Sequence, residues 1–231
     1  INFENVDINR PDQNQIATLG FNLKNKGLIE DVKVTGSVTG NNDVAGIVNK
    51  IDEDGKIENV AFVGKINSVG NNSTVGGIAG SNYMGFVNRA YVDATITAQN
   101  ANASMLVPFV TYMLNSWKSG TKAKVTNSVA KGVLDVKNTR NVGGIVAKTW
   151  PYGAVQDNVT YAKVIKGQEI FASNDVNDED GGPHIKDLFG VVGYSSAEDG
   201  TGKDTKSPKK LKHLTKEEAD KRVEGYKITA D

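Results

Sequence analysis

Ten-residue stretches in which apolar and polar side chains alternate recur along this chain. The clearest runs Ile57-Glu58-Asn59-Val60-Ala61-Phe62-Val63-Gly64-Lys65-Ile66, and Ile29 to Val38 matches it position by position. Val87 to Ile96 follows the same rule, with Ala90, Val92, Ala94 and Ile96 on one side. Val125 to Leu134 repeats it with Ser128, Ala130, Gly132 and Leu134, and Val159, Tyr161 and Ile165 keep it with a slipped register. A period of two is the mark of a strand with one face in a core.

A shorter apolar element lies between these stretches. It reads Val44-Ala45-Gly46-Ile47-Val48, then Val75-Gly76-Gly77-Ile78-Ala79, Leu106-Val107-Pro108-Phe109-Val110, Val142-Gly143-Gly144-Ile145-Val146 and Leu188-Phe189-Gly190-Val191-Val192. The starts are spaced 31, 31, 36 and 46 residues apart, and Leu19-Gly20-Phe21 reads as a worn earlier copy. The intervening turns are rich in Asn and Gly, as in Gly40-Asn41-Asn42 and Gly70-Asn71-Asn72, residues that tolerate left-handed corners. One such unit cannot bury its own apolar face, but stacked units can. The expected fold is all-β: a right-handed parallel β-helix of about five or six coils. An antiparallel β-sandwich is the alternative, and the even spacing of like segments favours the solenoid.

Residues 1–196 would form the solenoid. Residues 197–210 are polar, with Gly200, Gly202 and Pro208, and read as a linker. Thr215 with Glu218 forms a capping box, residues 216–224 should be helical, and Gly225 offers a stop. That helix would seal the end of the solenoid or lead toward a next domain.

Composition narrows the function. The chain has 231 residues with 27 basic and 27 acidic side chains, so no global field draws it to nucleic acid or an anionic membrane. No segment is apolar for long enough to span a membrane. Cysteine is absent, which removes disulfides, thiolate catalysis and Cys-based zinc sites. The first residue is Ile1, which suggests a piece of a longer chain.

Val75-Gly76-Gly77-Ile78-Ala79-Gly80 and Val142-Gly143-Gly144-Ile145-Val146 resemble the glycine-rich GLUG repeat of bacterial surface proteins. With Leu214 to Val223 beyond the repeats, the whole chain resembles the solenoid region of streptococcal immunoglobulin A proteases, which are zinc metallopeptidases. The resemblance implies an extracellular, cell-wall-associated parent whose separate catalytic domain holds zinc and cuts the heavy chain of immunoglobulin A. It implies that this solenoid engages the substrate. The H-E-x-x-H zinc motif is absent: His184 precedes Ile185-Lys186, and His213 precedes Leu214-Thr215. No catalytic residue, metal ligand or cofactor is therefore assigned to this chain, and zinc is expected only in the catalytic domain.

Three other features could carry chemistry. Asp31 and Glu58 fall near equivalent corners and could stack, as the carboxylates of a glycan-active β-helix would. Residues 175–180 hold four acidic side chains, but Asp180 stands where a calcium loop needs glycine, so an acidic insertion is the better reading. Large amphipathic side chains follow successive glycine elements: Tyr83 and Met84, then Tyr112 and Trp117, then Trp150 and Tyr152. Stacked coils would align them along one edge, suited to an extended proline-rich peptide, unless the rings simply cover the coil edges. A surface adhesin or spacer binding host protein or glycan is the alternative to a protease region.

Overall fold

The computed structural model describes residues 1–110, 123–149, 153–166, 171–174, 192–193, 212–213 and 215–231. They form a parallel β-solenoid of about five turns with one short C-terminal helix. The first coil contributes β1 (Asn2–Arg10) and β2 (Gly20–Leu23). The second contributes β3 (Leu28–Gly40), β4 (Val44–Ala45) and β5 (Val48–Ile51). The third holds β6 (Lys56–Ser68), β7 (Ser73–Gly76) and β8 (Ala79–Asn82), and the fourth β9 (Phe86–Ser104) and β10 (Phe109–Val110). The fifth holds β11 (Ala123–Thr126), β12 (Val129–Gly143) and β13 (Val146–Thr149). Beyond it come β14 (Gly153–Gln156), β15 (Val159–Thr160), β16 (Lys163–Val164) and β17 (Phe171–Asn174). A separate parallel pair joins β18 (Val192–Gly193) to β19 (Lys212–His213).

The long alternating strands stack in one sheet, and the strands that follow the glycine elements stack in a second, ordered β17-β13-β10-β8-β5-β2. Val34, Phe62, Val92 and Ala130 lie one above another in register, as do Val38, Ile66, Ile96 and Leu134. All eight are buried. Each coil thus fills the gap above its neighbour with like side chains, and the core is a column rather than a ball.

Two expected registers shift. The third glycine element begins at Ala103 rather than Leu106, because Ala103 pairs with both Val75 and Val142. Ser104 and Met105 stand where the neighbouring coils carry glycine, and Leu106 takes the place of Ile78. In the last coil Thr160 and Val164 pair with the core residues Ala130 and Leu134, so Val159 and Tyr161 face outward. The earliest copy is real: Ile16 bridges Val44, and Gly20 pairs with Val48. The element at Leu188 to Val191 and the boundary at 196/197 lie outside the described residues.

The helix α1 (Lys216–Glu224) has the expected capping box, with the Thr215 side chain accepting from Glu218 N. Its C-cap Gly225 has φ −69°, so the stop is right-handed and does not use glycine's special freedom. Within the described residues the helix lies along the outer side of the coils rather than over an end. Ala219 and Tyr226 pack on Val129 and Val159, with Tyr91 and Tyr161 at the margin. Those outward apolar side chains are what the segment covers.

The segment after α1 then climbs back along a column of corner residues. Asp31, Asn59, Arg89, Asn127 and Asp157 all adopt φ between 49° and 53°. Arg222 Nη1 donates to Asp157 Oδ1 at 2.6 Å, and Arg89 Nη1 donates to Lys227 O at 3.4 Å. Asn59 is almost wholly buried; its Oδ1 accepts from Thr229 N at 2.7 Å and Ala230 N at 3.2 Å. Lys33 Nζ donates to Asp231 O at 3.1 Å. Residues 215–231 form a lateral strap across five successive coils.

Candidate functional site: a cleft across the first three coils

The second sheet carries an open cleft of about 380 Å³ on its outer side. Gln15 and Phe21 reach it from the first coil, Asp43, Asn49 and Lys50 from the second, and Thr74, Ser81 and Tyr83 from the third. Register explains the gathering. Phe21 stands beside Asn49, flanked by the pairs Gly20–Val48 and Asn22–Lys50, and Lys50 pairs with Ser81. Gln15, Asp43 and Thr74 each immediately precede an inward residue of the stacked set Ile16, Val44 and Val75.

Local chemistry fixes these side chains. Asp43 has φ 56°, a left-handed corner that Asp tolerates better than most residues. Its Oδ1 accepts from Thr74 N at 3.1 Å and Thr74 Oγ1 at 2.9 Å, tying the second coil to the third. Asn49 donates from Nδ2 to Ile16 O at 2.7 Å, tying the second to the first. Lys50 forms an ion pair with Asp52 at 2.7 Å and lies 4.8 Å from the Tyr83 ring centroid, so its charge is compensated within the wall.

Of the aromatic edge expected from the sequence, Tyr83 lines this cleft and Met84 follows it in the turn before β9. Tyr112, Trp117, Trp150 and Tyr152 lie outside the described residues, as do the acidic run at 175–180 and His184. Phe21, Asp43, Asn49 and Thr74 carry no sequence motif, because their proximity arises from coils roughly thirty residues apart. Their only sequence signal is position: each sits at a fixed offset from the short apolar element.

The corner carboxylates do not pair with each other. Asp31 Oδ1 accepts from Asn59 Nδ2 at 2.5 Å, whereas Glu58 binds Arg89 Nε at 2.5 Å and Asn88 Nδ2 at 3.0 Å. Among the described residues no three His, Cys, Asp or Glu side chains group as metal ligands. On the strap, hydrogen bonds from Lys216 and then Tyr161 hold the Asp220 carboxyl below its usual range. Burial pushes the Tyr226 phenol up. Burial likewise raises Tyr91.

Comparison with known proteins identifies relatives of the chain. It is 50% identical over 234 residues to zinc metalloprotease ZmpB of Streptococcus pneumoniae serotype 4, matching 100% of this chain and 12% of the relative. This chain is related over its whole length to one region of a streptococcal zinc metalloprotease. A second relative, zinc metalloprotease ZmpC of the same organism, is 32% identical over 152 residues, 63% of this chain and 8% of that protein. The chain therefore spans a small part of the curated relatives it matches. No protein-family model matches it, and no solved structure does.

Proposed function

We propose that this solenoid is a non-catalytic substrate-engagement and scaffold region of a secreted, cell-wall-associated zinc metalloprotease, and that the substrate it engages is the immunoglobulin A heavy chain. One observation carries the reading. A chain matched end to end by part of a zinc metalloprotease contains no H-E-x-x-H motif, and its described residues hold no cluster of metal ligands. Zinc and the hydrolytic step then belong to another domain of the same protein, the chain's nearest partner.

The architecture suits that role. A solenoid is rigid along its axis and offers long, regular outer faces. The cleft beside Tyr83 is one place where such a face departs from flatness. Binding energy gathered far from the cut bond can hold a substrate in position for it. The test is a titration of the 231-residue chain with intact immunoglobulin A, beside a longer chain that includes the catalytic domain. Saturable binding by the shorter chain, without cleavage, is expected. Binding by the longer chain alone would move recognition elsewhere.

A further inference from the structure

The cleft across the first three coils has chemistry that goes beyond protein-substrate engagement and does not depend on it. We infer that it is a carbohydrate-binding site for a short neutral saccharide, one or two rings in size.

Size and shape come first. A volume of about 380 Å³ sits at the small end of the range of about 300–1,000 Å³ typical of ligand pockets. The cleft crosses three coils, so its long dimension is roughly 10 Å, twice the strand spacing. Phe21 bounds it from the first coil and is half-exposed, whereas Phe62 in the core is fully buried. Tyr83 bounds it from the third. Aromatic side chains at both ends can stack on the C–H faces of pyranoses, and Lys50 already covers one face of Tyr83.

The polar groups between the rings suit vicinal hydroxyls. Asn49 spends its Nδ2 on Ile16 O, which leaves its amide oxygen as an acceptor. Asp43 spends Oδ1 on Thr74, which leaves Oδ2. The Gln15 amide and the Ser81 and Tyr83 hydroxyls make no side-chain hydrogen bond to any described residue, and none of them is sealed from solvent. Amide, carboxylate and hydroxyl groups together offer both donors and acceptors to each sugar hydroxyl.

Charge and backbone argue against two competing classes, anions and strand-adding peptides. Lys50 is already paired with Asp52, so among the described lining residues no free cation waits for a phosphate or sulfate. A peptide that binds by strand addition needs an open strand edge. Here β5 is bonded to β2 on one side and β8 on the other, so the floor offers no main-chain edge. Every wall residue sits on backbone locked to the next coil, and such preorganisation limits the entropy lost on binding.

The experiment applies the fluorescently labelled 231-residue chain to a glycan array carrying neutral and acidic saccharides, followed by saturation-transfer NMR with the retained sugar in solution. Retention of neutral saccharides is expected. Phe21→Ala and Tyr83→Ala should each weaken it at least tenfold, and Asp43→Asn, which keeps the corner, severalfold. Thermal melting of each variant reports its folding, and Phe21, being exposed, gives a readout should the Tyr83 variant melt early. Retention of no sugar overturns the proposal. So does retention unchanged in the Phe21 and Tyr83 variants, or retention confined to acidic glycans and abolished by salt. Binding of a proline-rich peptide with no sugar bound, lost in the same variants, would give the cleft to a peptide instead.

Discussion

Gly64→Ala should break the stack, because an added side chain there would run into the backbone of the neighbouring coil. Gly64 pairs with Gly36 in the coil below and Ala94 in the coil above. Its φ is +147°, and a Cβ built there would lie 1.9 Å from the Gly36 carbonyl oxygen. A carbon and a carbonyl oxygen normally stay about 3.3 Å apart or more, so the coils would have to part locally. The backbone conformation adds roughly 1–3 kcal/mol for a side chain, and each ladder hydrogen bond lost adds about 1 kcal/mol. We expect about 3–5 kcal/mol of destabilisation, a large share of the 5–15 kcal/mol typical of a folded domain. Gly20→Ala is the matched control, since nothing lies within 4 Å of its added Cβ and its φ is not positive. It should be neutral or stabilise by about 0.4–1 kcal/mol through the unfolded chain. Urea unfolding followed by far-UV circular dichroism separates them: the Gly64→Ala midpoint should fall by about 1–2 M at an m-value of about 2.5–3 kcal/mol/M, the upper part of the range for urea, as suits a larger chain. A Gly64→Ala midpoint equal to that of the parent, or an equal loss in Gly20→Ala, would refute the stacking argument.

Three further outcomes follow from the strap and the core. Asn59→Gly keeps the left-handed corner but removes the acceptor of Thr229 N and Ala230 N, so amide exchange in residues 226–231 should rise at least tenfold while the core strands keep their protection. The strap should loosen at both pH extremes. The depressed Asp220 pKa gives stability present above the unfolded carboxylate value near 3.8 and lost as pH falls through the lower folded value. The raised Tyr226 pKa gives stability present below about pH 10 and lost above it. Exchange of the strap amides against pH reads both limbs. Ser104→Ala should stabilise the chain by about 1 kcal/mol, measured by urea unfolding, because its buried hydroxyl has no hydrogen-bond partner and its counterpart in the second coil is Ala45.

The coil was legible because its cause is local. A strand with one face in the core must alternate, and Val34, Phe62 and Val92 recur at the interval of the turn they help build. The third glycine element was misread by three residues because Ser104 and Met105 replace glycines, and the neighbouring Leu106-Val107 imitates the start of a copy. The outward Val159 and Tyr161 looked like core residues for a physical reason: they are apolar because the strap covers them. The capping box at Thr215 showed the helix, yet the path of the strap that continues it depends on residues up to 198 positions away, as in the Lys33–Asp231 contact. The cleft was illegible for the same reason. Asp43 reads as a solvated turn residue until stacking sets it beside Thr74 and Asn49.

In the function proposed above, this solenoid engages substrate for chemistry carried elsewhere in the protein. That role is tested most directly by the steady-state kinetics of the full-length protein on its proposed substrate, immunoglobulin A, with and without the segment matching residues 1–231. Loss of remote binding should raise KM at least tenfold and leave kcat on a short hinge peptide unchanged. Equal KM for the two proteins on the intact antibody would contradict the account.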